Sequence, residues 1–164
     1  MTRQNRPQLL IIGVGNPFRG DDAAGLLAAR LLKNSGLDST TVMEHSGEGA
    51  SLMETWKGAD AVILIDAVSS GGPPGTIHRL EPISKPLPAR MFQSSTHTFS
   101  LPQAIAMARA LDELPPRLIV FGIEGGNFKP GADLSPEVRT ALPEVAQQIL
   151  SELKALAAST TCGD

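Results

Sequence analysis

The sequence has one cysteine, no tyrosine and no apolar run long enough to cross a membrane, and each shortage removes a class of protein. Cys162 has no intrachain partner, so no disulfide framework and no oxidising compartment are implied. It reads as a thiol on a frayed tail. Aromatic residues make up only 4%, with one Trp and five Phe, so the core must be aliphatic. Positive charge is not in excess: 14 Lys and Arg against 17 Asp and Glu leave a formal net charge of −3. That excludes the basic footprint of a nucleic-acid binder. The polar start MTRQNRPQ runs straight into LLIIGVG, too short for a signal-peptide core with its cleavage site and too short to span a bilayer. These absences favour a cytoplasmic protein with no membrane insertion.

What is present is an ordinary globular composition. The 164 residues, 41% hydrophobic, suit a single domain over 1–164 with a core that needs no staples. Three short runs are almost wholly apolar: LLIIGV (Leu9–Val14), AVILI (Ala61–Ile65) and LIVFGI (Leu118–Ile123). Such runs predict strands buried on both faces. TTVM (Thr40–Met43) is β-branched and TIHRL (Thr76–Leu80) alternates, which predicts a further strand and a half-exposed edge strand.

Helical spacing falls between these runs. A helix starts near Asp21, a favoured N-cap type, and carries Leu26, Leu27, Arg30 and Leu31. Ala50–Trp56 and Leu101–Leu111 predict two more, the second with Pro102 in its first turn. The last follows Ser135-Pro136-Glu137, with Ser135 as cap, and keeps Val138, Leu142, Val145, Ile149, Leu153 and Leu156 on one face. Pro143 predicts a kink or break inside it. Strands alternating with helices predict an α/β fold, a mainly parallel sheet with helices on both sides.

Polar residues gather where the strands end. In such sheets ligands bind beyond the carboxyl ends of the strands. Asp21 and Asp22 follow the first run, Asp66 follows AVILI and Glu124 follows LIVFGI. GVGNPFRGDDAAG begins like a nucleotide loop, but Phe18 occupies the third glycine position of a dinucleotide fingerprint, and no Gly-Lys-Ser/Thr follows. Two carboxylates at a helix mouth repel phosphate and suit a cation. They also have a plain structural reading, with Asp21 capping the helix and Asp22 complementing its dipole.

Of the histidines, His78 reads as a surface residue in mid-strand, His45 lies after the second strand near the ligand edge, and His97 lies in the loop SSTHTFSL. Carboxylates with neutral imidazole suit first-row divalent metals. No HExxH, CxxC or GxSxG is present, and Glu44 stands where an elbow around Ser46 would need glycine.

Four blocks in order carry a resemblance. GVGNPFRGDDAAG, IDAVSSGGPPGTIHRLEP, SSTHTFSLPQAIAMARAL and LIVFGIEGGNFKPGADLSPEVRTALPEV together resemble the nickel–iron hydrogenase maturation proteases. These endopeptidases trim the C-terminus of the hydrogenase large subunit. The resemblance implies a three-layer αβα sandwich around a twisted, mostly parallel sheet of about five strands. It implies metal contacts at Asp22, Asp66 and His97, with Asp22 or another carboxylate as general base for water. The nickel would arrive in the precursor, and the enzyme would hold no cofactor of its own. The partner would be the large-subunit precursor and the protein a monomer. Ala23-Ala24 and Gly125 depart from the family pattern, which commonly has Gly after the acidic pair and Pro after the late strand. Two other readings stand beside this one: a nucleotide-binding α/β enzyme, supported by GVGN and Glu44, and a non-catalytic nickel-sensing assembly chaperone.

Overall fold

The computed structural model describes residues 7–92, 97 and 99–161. Residues 1–6 of the polar start and Cys162 lie outside them, as do residues 94–96 and 98 of SSTHTFSL.

The apolar runs become the sheet. Strands β1 (Leu9–Val14), β2 (Thr40–His45), β3 (Ala61–Val68), β4 (Ile77–Leu80) and β5 (Arg117–Glu124) lie in the order β2-β1-β3-β5-β4. All pairings are parallel except β4 on β5. The three central strands are buried along almost their whole length, whereas β2 alternates at one edge and β4 is half-buried at the other. Burial on both faces is why β1, β3 and β5 read as continuous apolar runs.

Helices α1 (Ala24–Lys33) and α4 (Pro136–Thr161) cover one face; α2 (Gly49–Trp56) and α3 (Leu101–Ala110) cover the other. The parity of the strands sorts the core accordingly. Ile11, Ile63, Ile65 and Phe121 face α1 and α4, and Ile12, Leu64, Val68 and Val120 face α2 and α3. The result is the expected three-layer sandwich.

Three details differ from the sequence expectation. A 3₁₀ turn, Gly20–Ala23, precedes α1, so Asp21 lies before the helix and is not its N-cap. On α1 the buried stripe uses Leu26, Ala28, Ala29 and Leu32, leaving Leu31 exposed. Helix α4 runs on through Pro143 without a break. Pro143 is exposed, so the Arg139 carbonyl that loses its partner there lies on the solvent side, where water replaces the bond. The apolar face predicted for α4 is buried at all six positions.

The order places β1 between β2 and β3, so the chain leaves β1 toward one side of the sheet and later returns on the other. A crevice opens at that reversal, beyond the carboxyl ends of β1 and β3.

Candidate active site

The loop after β1 is shaped by close packing. A Cβ on Gly13 would lie 2.3 Å from the Gly25 carbonyl oxygen and 2.6 Å from Ala29 Cβ. A Cβ on Gly25 would lie 2.3 Å from the Ile65 carbonyl oxygen and 2.4 Å from that of Val14. These glycines therefore seat the start of α1 directly on the sheet. The opening of the loop looks like a phosphate cradle because both need small residues at a strand-to-helix junction.

The 3₁₀ turn sends the adjacent aspartates to different places. Asp21 is fully buried and faces the loop between β5 and α4. Its Oδ2 accepts from Gly126 N at 2.7 Å, Asn127 N at 2.9 Å and Ser135 Oγ at 2.6 Å, and its Oδ1 accepts from Ser135 N at 2.7 Å. Burial alone would raise this carboxyl, but the Ser135, Gly126 and Asn127 donors outweigh it and hold the group below its ordinary value. Ser135 thus gives its hydroxyl to Asp21, and its role at α4 is through its carbonyl, which accepts from Arg139 N.

Asp22 turns into the crevice. It is 8% exposed, and burial raises its carboxyl against the opposing effects of Arg19, the Asn16 backbone and His97. Asp66 meets it from β3. The β1–β3 pairing ends at Gly13 with Ile65, while β3 continues to Val68 paired with β5. Asp66 is the first residue past the end of that pairing, on the α2 and α3 face by its parity with Leu64. Burial pushes its carboxyl well above the usual range, and the nearby charge of Asp22 pushes it further; the Ala67 N–H opposes both.

His97 Nε2 lies 3.0 Å from the Ser46 carbonyl oxygen. A carbonyl only accepts, so Nε2 is the donor in this contact. A backbone carbonyl that takes a ring N–H in this way is the usual support of a metal-binding imidazole. In His45 Nε2 is the donor for a different reason. The Gly47 N–H donates to its Nδ1 at 2.9 Å, which leaves Nε2–H for Ser51 Oγ at 3.0 Å. Both nitrogens of His45 are thus engaged beside the site, and burial lowers its basicity.

Asp22, Asp66 and His97 line one cavity of about 350 Å³, with Ser46, Gly47 and Phe18 at its sides and Val14, Phe92 and Leu101 as its apolar wall. Among the described residues, no three His, Cys, Asp or Glu side chains are set closely enough to hold a metal ion alone. Glu124 stands at the carboxyl end of β5, as expected, but does not line this cavity. It is 1% exposed and accepts from Ser70 N at 2.8 Å and Gly72 N at 3.0 Å, and its Oε2 lies 3.3 Å from His78 Nε2. His78 is accordingly half-buried against Glu124 and not a surface residue.

This is an open-sheet α/β protein with two coupled carboxylates and an oriented imidazole at its switch point. A family model described as hydrogenase maturation protease matches residues 26–152. The chain belongs to the hydrogenase maturation protease family, and it is a peptidase. It is 28% identical over 152 residues to the hydrogenase expression/formation protein HupD of Thiocapsa roseopersicina, covering 86% of this chain and 69% of the relative. It is 28% identical to a putative hydrogenase maturation protease of Methanocaldococcus jannaschii, covering 91% and 98%. Among solved structures, an endopeptidase from Escherichia coli superposes with a TM-score of 0.79 at 26% identity, covering 90% and 93%. The hydrogenase maturating endopeptidase HybD from E. coli shares the fold with a TM-score of 0.76 at 24% identity over the same shares.

Proposed function

We propose that this peptidase removes the C-terminal extension of a nickel-loaded nickel–iron hydrogenase large-subunit precursor, and that Asp22, Asp66 and His97 contact the nickel carried by that substrate. The observation that carries the reading is the convergence of two carboxylates and an oriented imidazole, from three separate segments, on one cavity. A set without thiolate suits transient contact with a metal held elsewhere. The protein needs no cofactor of its own in this scheme and acts as a monomer in the cytoplasm.

The coupled carboxylates divide the chemistry. Burial raises both carboxyls, Asp66 well above its ordinary range with the charge of Asp22 adding to the rise, so the two titrate as a pair. Ionised Asp22 is the general base that takes a proton from water as the water attacks the scissile carbonyl. Substrate nickel facing the pair draws both groups toward the ionised form.

Incubating purified protein with precursor, with and without nickel, and weighing the product by mass spectrometry tests this. Only the nickel-loaded precursor should be shortened. Asp22→Asn and His97→Ala should each slow processing by about 10²-fold or more. Asp22→Glu should retain much of it, because the carboxylate survives. Equal cleavage with and without nickel would remove the metal from the scheme.

A further inference from the structure

Phe18 stands at the mouth of the cavity with 77% of its surface exposed, the most of any large apolar side chain among the described residues. A single exposed apolar residue is ordinary on a protein surface. Two further observations set this one apart.

The first is that its backbone is fixed. Phe18 N–H donates to Asn16 Oδ1 at 2.9 Å, and the Phe18 carbonyl accepts from Gly131 N at 2.8 Å. Asn16 N donates to the Asp22 carbonyl at 3.2 Å, and Asp22 N to the Arg19 carbonyl at 3.1 Å. The loop that presents the ring is therefore the loop that presents Asp22. The backbone that carries the ring cannot move away without giving up these bonds.

The second is the lining it belongs to. Phe18 lines the same cavity as the apolar side chains of Val14, Phe92 and Leu101 and the carboxylates of Asp22 and Asp66. Phe18 carries no titratable atom, so its contribution lies in binding.

We propose that Phe18 is a specificity-determining residue that packs against an apolar side chain of the precursor beside the scissile bond, seating the segment over Asp22 and Asp66. This rests on the peptidase function proposed above. A ring on a pre-ordered loop adds no loop-ordering cost to binding, a condition that favours a large share of affinity from one aromatic contact.

The experiment compares wild type, Phe18→Ala and Phe18→Leu on nickel-loaded precursor, measuring KM and kcat for cleavage and, separately, Kd for the precursor. The alanine variant should raise KM and Kd about tenfold with kcat unchanged, and leucine should restore most of the loss. Unchanged KM and Kd would overturn the inference and leave the peptidase reading intact. A fall in kcat at constant KM would also overturn it, by moving the residue's effect from binding to chemistry. If wild type cleaves no precursor, the function reading fails, and Kd alone decides. A tenfold weakening in the alanine variant would still support the contact; equal Kd values, or no binding by wild type, would end it.

Discussion

Asp21 and Asp22 are neighbours in the chain, yet one is a structural acceptor and the other faces the crevice. Asp66 resembles neither, because it is buried with a negative neighbour and no cation among the described residues offsets that charge. Its effect on stability has a definite sign. Above the ordinary carboxylate range the unfolded chain has lost this proton while the folded chain still holds it. The folded state then binds more protons, so stability falls as pH rises through that window. Asp66→Asn removes the slope. At neutral pH the variant should be more stable by on the order of 1 kcal/mol, about 3 °C in thermal midpoint for a chain of this size. The advantage should vanish in acid below the ordinary carboxylate range, where both side chains are neutral. Melts across pH, followed by circular dichroism, check it. Asp22 and Asp66 were legible in the sequence because a charged residue near the end of a buried run has few places to go. The role of Asp21 was not, because its partners Gly126, Asn127 and Ser135 lie more than a hundred residues away.

Between elements, the first loop and the loop before α4 are tied through that one carboxylate. Asp21→Ala leaves four donors to find water or go unpaired, at a cost of about 2–4 kcal/mol in urea unfolding. Because the folded state depresses this carboxyl, its contribution is full above the ordinary value and is lost as pH falls through the lower, folded one. The gap between wild type and variant should therefore close in strong acid. The α1–sheet contact gives a second case with opposing terms. Gly25→Ala improves helix propensity by about 1 kcal/mol. It also drives a Cβ to 2.3 Å and 2.4 Å from two backbone carbonyl oxygens, which cannot rotate away. The clash should win, lowering the urea midpoint by the equivalent of roughly 1–3 kcal/mol. Element-level errors in the sequence reading have the same origin as these contacts. Glu124 and Asp66 look alike after their strands, but the residue 69–75 loop wraps one and the end of β1 exposes the other. Pro143 breaks nothing because it lies on the outer side of α4.

Across the whole molecule, strand order was not legible, although every strand and α-helix among the described residues was. Pairing depends on which apolar faces meet, and β1, β3 and β5 are apolar on both. The crevice nevertheless follows from the order once it is known, and its charge excludes one competing reading. Phosphate placed there meets Asp22, which the proposed chemistry requires to be ionised; like charges at ~4 Å repel by about 4 kcal/mol at an effective dielectric of 20, against about 1 kcal/mol from a helix terminus. Millimolar NAD or ATP should leave the thermal midpoint unchanged. A shift of several degrees would contradict this.

Helix α4 is the last described element, and it supplies Val138, Leu142, Val145, Ile149, Leu153 and Leu156 to one side of the sheet. That position has a consequence for the chain as it is made. Without α4, Ile63, Ile65 and Phe121 have only α1 against them. Until α4 docks, the chain therefore presents an apolar plate to its surroundings. A chain truncated between Glu124 and Pro136 should be held by chaperones or lost to aggregation, even though every residue that lines the crevice is present.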